Sequence, residues 1–277
     1  MNALCRSLGV EPLGVSRSGD WIRGDVSSWG YVEALVAQHR PEFVFHLAAN
    51  STTRHGALFE NHAAICTGAL NILEAVKTHC PASKVFLSGS GLQFHNEGKP
   101  ISERDSFEAS SPYSLARIHS VYAARYYRTL GLKTYVGYFF HHDSPLRKEH
   151  HVSQMIAQAS KRIGEGSGEM LEMGDVSVEK EWTFAGDVVE GIWALVQQER
   201  VFEATIGSGL TYSIEEWLDE CFSLVGKQWK DHVRLRENFT PEYSRLVSDS
   251  STMHALGWKP RVSLRDLARL MVLGEEA

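Results

Sequence analysis

Cysteine is scarce in this chain of 277 residues: there are four, Cys5, Cys66, Cys80 and Cys221. They follow neither metal-finger nor dithiol spacing. That excludes a disulfide scaffold, and the four read as reduced thiols of a cytoplasmic protein. Positive charge is in deficit, with 28 Lys and Arg against 34 Asp and Glu and a net charge of −6. A general nucleic-acid binder is therefore not expected. No apolar run is long enough to span a bilayer, no signal-like segment is seen, and no internal repeat recurs. What is present is an ordinary globular composition, 43% hydrophobic and 22% charged. The length suffices for one large domain or one and a half.

One stretch organises the rest. Val85-Phe86-Leu87 is a short apolar run that ends in Ser88-Gly89-Ser90-Gly91. It reads as a buried strand entering a tight loop. After a polar segment comes Ser111-Pro112-Tyr113-Ser114-Leu115-Ala116-Arg117. Ser is a good N-cap and Pro suits the first helical position. Tyr113 and Arg117 are then four apart on one helix face. A cation beside a phenol favours the phenolate, and the Ser88 and Ser90 hydroxyls at the strand end can face that phenol. Such a group suits proton transfer to or from a sugar hydroxyl or carbonyl. The bland alternative is an ordinary Tyr/Arg pair on a surface helix.

Along the chain, helices are expected over Met1–Leu8, Trp29–His39, Ala57–Thr78 and Pro112–Leu130. Strands are expected at Pro12–Ser16, Gly24–Val26, Glu42–Ala49, Lys84–Leu87 and Lys133–Phe140. This alternation predicts an α/β fold, a doubly wound parallel sheet of Rossmann type. After Phe140 the rhythm changes to a polar loop, a helix over His151–Gly164, short strands, and helices at Ile214–Val225 and Leu264–Leu273. The reading is a sheet region over 1–140 and a smaller α+β lobe over 141–277, parts of which return to the sheet.

Several stretches, taken in order, resemble the extended short-chain dehydrogenase/reductase superfamily. They are Gly24-Asp25-Val26, His46-Leu47-Ala48-Ala49-Asn50-Ser51, Ser110-Ser111-Pro112-Tyr113, Phe140-His141-His142-Asp143-Ser144-Pro145, Phe184-Ala185-Gly186-Asp187-Val188-Val189 and Leu256-Gly257-Trp258-Lys259-Pro260. Within it the chain is most similar to the NAD-dependent nucleotide-sugar epimerases and dehydratases, on the GDP-mannose 4,6-dehydratase branch. The resemblance implies a cofactor, NAD or NADP, held by Arg17, Asp25, Val26, Leu47, Ala48, Ala49, Tyr113 and Arg117. It implies a nucleoside-diphosphate sugar, such as a GDP-linked hexose, met by Ser51, His141, Ser144 and Lys180. Tyr113 would be the acid/base, with Arg117, Ser88 and Ser90 beside it. A homodimer is expected, with neither nucleic acid nor membrane as partner.

The sequence also departs from that family. Its Gly-x-x-Gly-x-x-Gly loop cradles the cofactor pyrophosphate at a helix N-terminus. Met1 aligns inside the first helix, so the first strand and that loop are expected to be missing. The family's catalytic Ser or Thr aligns with Gly89, its dehydratase Glu with Gly91 and the following Tyr with Gln93. Its Lys is Arg117, the Asn before its His is His141, and its diphosphate Arg is Lys180. With Gly91 in the Glu slot, oxidation–reduction or epimerisation is expected rather than 4,6-dehydration. A catalytically degenerate relative that acts as a binding or interaction protein is the alternative.

Arg17 lies where a 2′-phosphate would be met, or else is a solvated loop arginine. His141, His142, His150 and His151 with Asp143 fit no closed zinc pattern, and no metal is expected. Tyr122, Tyr126 and Tyr127 read as packing, and Met170 and Met173 as core. Trp182, Trp193, Trp217 and Trp258 read as core aromatics.

Overall fold

The computed structural model describes residues 1–19, 21–50 and 52–275. In order, the elements are α1 (Asn2–Ser7), β1 (Val15–Ser16), β2 (Ile22–Arg23), α2 (Trp29–His39), β3 (Phe43–His46), α3 (Leu58–Asn61), a π-helical segment (His62–Thr67), α4 (Gly68–His79), β4 (Lys84–Ser90), α5 (Pro112–Thr129) and β5 (Lys133–Phe139). There follow β6 (His142–Asp143), α6 (Val152–Gly164), β7 (Leu171–Met173), β8 (Glu179–Glu181), β9 (Thr183–Phe184), α7 (Ala185–Val196), β10 (Glu203–Ile206), β11 (Thr211–Ser213), α8 (Ile214–Ser223), β12 (Val233–Leu235), β13 (Arg245–Leu246), α9 (Ser251–Ala255) and α10 (Leu264–Leu273). They form two compact units, each discontinuous in sequence. The first comprises residues 1–95, 102–139 and 189–205, and the second residues 96–101, 140–188 and 206–277.

The first unit carries a four-stranded sheet in the order β10-β5-β4-β3. Strands β3, β4 and β5 run parallel, with Phe43 opposite Lys84 and Lys84 opposite Lys133. Val85 to Ser90 are all buried, because β4 is flanked on both sides and covered on its faces. That is why its first half, Val85-Phe86-Leu87, reads as an unbroken apolar run. The expectation of a buried strand over Glu42–Ala49 needs correction. β3 is only four residues and half-buried, and Leu47 beyond it is 42% exposed. Among the described residues β3 pairs with β4 alone, which leaves its other edge without a strand. β1 and β2 form a separate parallel pair. The second strand falls at Ile22–Arg23, so Gly24-Asp25-Val26 are the residues just after it. Gly14 in front of β1 lies against the Trp21 ring, where a Cβ would sit 2.2 Å from a ring carbon.

The second unit holds small sheets: β11-β8-β13, the parallel pair β12-β7 and the parallel pair β6-β9. Its core is built around Trp182 stacked on Trp217, with ring centroids 4.6 Å apart. Helices α6, α8 and α10 supply Ile156, Ile163, Leu218, Phe222, Leu267 and Met271 to it. Met173 belongs to this core, whereas Met170 is 42% exposed. In the first unit Tyr127 is buried, but Tyr122 and Tyr126 are exposed, so only one of those three tyrosines packs inside. No described helix is long and apolar enough to cross a membrane.

Candidate functional site

Helix α5 begins with a reciprocal cap. Ser111 Oγ accepts from the Ser114 amide (3.1 Å) and Ser114 Oγ accepts from the Ser111 amide (2.9 Å). Pro112 occupies the first helical position. The cap fixes Tyr113 in the first turn, half-buried, and Arg117 one turn later, buried. Arg117 Nη1 donates to the carbonyl of Ser88 and to Ser88 Oγ (2.7 Å). Ser88 Oγ in turn donates to the His46 carbonyl at 3.1 Å. One buried guanidinium thus ties α5 to the C-terminal ends of β4 and β3. Its carbon lies 5.1 Å from the centroid of the Tyr113 ring. The cation therefore stacks on the ring and is anchored at Ser88, where the sequence suggested it beside the phenol.

Ser90 also has a local partner. Its Oγ accepts from the Leu92 amide (3.2 Å), and its own amide donates to Gln93 Oε1 (2.9 Å), a reciprocal cap on the turn Gly91–Gln93. At Gly89 a Cβ would stand 2.5 Å from Tyr138 Cδ1 and 3.1 Å from Gln93 Oε1. The volume in which the resembled family carries a Ser or Thr side chain is thus filled by a ring and an amide. Around this strand end Gln93 Nε2 and Arg117 Nε are buried with no hydrogen-bond partner among the described residues. Burial, aided by the Arg117 charge, pushes the His46 imidazole down to about 4, so it is neutral at pH 7.

The other expected cofactor residues lie at strand ends of the same unit. Arg17 follows β1 and is exposed. Asp25 follows β2, and its Oδ1 accepts from the Ser27 amide (2.9 Å) and Ser27 Oγ (2.8 Å), which hold its carboxyl below the usual range. Arg17 contributes to the same lowering from close by. The Val26 carbonyl accepts from Asn71 Nδ2 on α4 (2.9 Å). At Gly68, the first residue of α4, a Cβ would be 2.7 Å from Val26 Cγ2 and 3.2 Å from His46 Cε1. Gly68 therefore lets the β2 and β3 ends come together over α4. Leu47 and Ala48 are exposed and Ala49 is half-buried. A carboxylate, a guanidinium and open strand-end backbone suit the hydroxyls and base of a dinucleotide, and the orphaned Arg117 Nε suits a polar ligand beside them. Ser51 lies outside the described residues.

The second unit holds a separate charged cluster. His141 Nε2 lies 3.0 Å from Asp143 Oδ2, and its Nδ1 lies 2.7 Å from the Glu181 carbonyl. The ring meets Trp182 edge-on at 5.0 Å. Burial and then the Lys180 charge lower the His141 pKa against the pull of Asp143. Asp143 is fully buried. Burial opposes its ionisation, yet His141, Arg147 and Ser153 hold it down at about 2. Ser153 Oγ donates to it at 2.8 Å, and Arg147 Nε is 3.4 Å away. Lys180 is buried, with Nζ 4.9 Å over the Trp182 ring and its pKa lowered by burial to about 8. Ser144 is local: its Oγ accepts from the Leu146 amide at 3.3 Å.

Two carboxylates that sequence reading left without a role are structural hubs. Glu181 is fully buried; its Oε1 accepts from the Ser248 amide and hydroxyl (both 2.6 Å) and its Oε2 from the Ser208 amide (2.6 Å). Asp187 Oδ2 accepts from the amides of Arg261 (2.9 Å) and Val262 (3.0 Å), clamping the segment after Trp258. No local spacing announces either, because the donors come from far along the chain.

The model of the family described as GDP-mannose 4,6 dehydratase matches residues 7–271. GDP-mannose 4,6 dehydratase 1 of Arabidopsis thaliana is 34% identical over 259 residues, covering 90% of this chain and 72% of that protein. The fold is shared with RMD from Pseudomonas aeruginosa, solved with NADPH, at 21% identity and a TM-score of 0.83 over 91% of this chain and 86% of that one. It is shared as well with UDP-glucose 4-epimerase of Thermotoga maritima, solved with UDP-glucose, at 19% identity and a TM-score of 0.87 over 98% of this chain and 92% of that one.

Proposed function

Since the chain belongs to the GDP-mannose 4,6-dehydratase family, we propose that it is an NAD(P)-dependent enzyme acting on a nucleoside-diphosphate sugar, with Tyr113 as its acid/base. The observation that carries this reading is Tyr113 in the capped first turn of α5, one turn before the buried Arg117 that is bonded to Ser88. NAD or NADP, when bound, supplies hydride transfer at the sugar. Arg17, Asp25, Val26 and the Leu47–Ala49 backbone would hold its adenosine and ribose portions. Tyr113 gives or takes the proton at the sugar oxygen. Arg117 keeps a fixed positive charge against the Tyr113 ring and holds Ser88 in place; a guanidinium does not lose its proton, so it serves as a positioning charge. Ser90 has a hydroxyl at the strand end to orient the sugar oxygen, whereas Ser88 Oγ, engaged by Arg117 and the His46 carbonyl, acts by holding the strand end. In the second unit Arg147 and Lys180 outnumber Asp143, which leaves that cluster cationic and suited to a diphosphate.

Gly91 carries no side chain to take the C5 proton, so the reading favours redox or epimerisation chemistry over loss of water. One observation favours a second reading, a binding protein without turnover: the side-chain volume beside Gly89 belongs to Tyr138. The test separates them. The chain is incubated with NAD or NADP and a panel of GDP- and UDP-hexoses, and products are read by mass spectrometry. Turnover is expected, falling about 10²–10⁴-fold in Tyr113→Phe with nucleotide-sugar affinity retained. Most of the activity surviving in that variant removes Tyr113 from the mechanism. A 4-keto-6-deoxy product from GDP-mannose at an ordinary enzymatic rate overturns the Gly91 argument. Binding without any product favours the second reading.

A further inference from the structure

Away from Ser88, Tyr113 and Arg117, the first unit gathers three side chains of another chemistry. His62 opens the π-helical segment and Cys66 stands four residues on, while His119 comes from α5. One donor atom from each lies within 4.8 Å of the other two. The His62 and His119 rings meet edge to face, with centroids 6.3 Å apart. Both imidazoles are exposed and Cys66 is buried beneath them. Thr67 Oγ1 lies 3.4 Å from His62 Nδ1, five residues apart, the span of one π turn. That contact engages Nδ1 and leaves Nε2 for a ligand, and a polar partner on the second ring nitrogen is what orients a ligating histidine. π segments are rare in helices and occur frequently at functional positions.

We propose that His62, Cys66 and His119 bind a divalent transition ion of the zinc class. Two imidazoles and a thiolate form the borderline-soft donor set that zinc, cobalt and nickel select, and magnesium and calcium, which take oxygen, do not. Tetrahedral zinc with bonds of about 2.0–2.3 Å holds its ligands roughly 3.3–3.8 Å apart. The spacing here closes to that by small rotations of the two exposed rings. Three protein ligands leave the fourth position to water. Binding forms one zinc–sulfur and two zinc–nitrogen bonds and releases the Cys66 thiol proton to solvent. The bound ion joins the π segment to α5 and adds stability by mass action. Arg117 lies buried on the inner face of α5 while His119 is exposed, so the ion site and the Tyr113 site are distinct.

The experiment uses the full chain stripped by a chelator and then titrated with zinc against a chromogenic chelator, and with cobalt by absorption spectroscopy. One equivalent of zinc is expected to compete with the dye and raise the thermal midpoint. Cobalt is expected to give a thiolate-to-metal charge-transfer band. Cys66→Ser should abolish that band, and His62→Ala and His119→Ala, both at exposed positions, should each weaken zinc more than about tenfold. A double His150→Ala/His151→Ala variant should bind as the wild type does. Failure of the wild-type chain to compete for zinc, or undiminished affinity in both His62→Ala and His119→Ala, overturns the proposal.

Discussion

Gly89 is kept small by its neighbour across the sheet. A side chain there would begin 2.5 Å from a ring carbon of Tyr138. That ring cannot swing aside, because Tyr138 is fully buried, its hydroxyl donates to Glu203 at 2.6 Å and its face meets Phe94 at 4.9 Å. Gly89→Ser, which would place a hydroxyl where the sequence resemblance leads one to expect it, should cost about 1–3 kcal/mol through overpacking. Urea denaturation checks it, and a variant as stable as the parent would mean that the Tyr138 ring yields. The same contact explains why putting back one residue type is not enough to rebuild a family's usual site. The vacant side-chain volume has already been taken by an aromatic held from two directions.

Among the elements, α5 illustrates what a local code can carry. Ser111-Pro112 followed by Ser114 marks its start, and Gly131, with φ of +93°, marks its stop. Ser111→Ala should lower stability by about 1 kcal/mol, while Ser111→Gly should lose only a few tenths; thermal or chemical melts distinguish the two. This helix was legible because its signals are its own residues. Trp29–His39 and Leu264–Leu273 were legible for the same reason. Strand β2 was misplaced onto Gly24–Val26, since two residues of strand leave almost no periodic trace and the pairing of Ser16 with Arg23 is tertiary. The π segment was invisible because its wider turn uses the same apolar residues as an α-helix. At the candidate site the sequence suggested grouping Tyr113, Arg117 and Ser88, but not that the guanidinium bonds Ser88 and stacks on the phenol ring. It also missed Glu181, whose partner Ser248 lies 67 residues away, and the approach of His119 to His62. Such groupings follow from the fold, and only the types of the residues were on view beforehand.

For the molecule as a whole, the charged interior sets a direction with pH. Glu203 is half-buried against Arg125, Arg128 and Tyr138; partial burial opposes its ionisation, but these three hold it at about 2. Asp143 in the other unit is also held at about 2. Both are depressed relative to an unfolded carboxylate, so their stabilisation is present above about pH 4 and is lost as pH falls towards 2. His46 is depressed as well, to about 4. Between its unfolded value near 6.5 and that point the unfolded chain binds a proton the folded one does not, so stability already declines from about pH 6.5 downwards. Urea titrations at stepped pH should therefore show two descending limbs on acidification, and His46→Gln should make the upper one shallower without removing it, because burial lowers His141, His142 and His151 as well; an unchanged upper limb in that variant would exclude His46 as a contributor. The discontinuous chain path has a further outcome, this time in the order of synthesis. β5 is paired on one side by β10, and the Phe202 carbonyl accepts from the Val136 amide at 2.8 Å. Glu203 follows Tyr138 by 65 residues. At a ribosomal pace of about 5–20 residues per second, roughly 3–13 s separate the two. During that interval Arg125, Arg128 and the Tyr138 hydroxyl wait without the carboxylate that joins them, and one edge of the sheet stands open in the nascent chain. Completion of the first unit is thereby timed by a strand that the ribosome delivers only after most of the second unit's first half has been made.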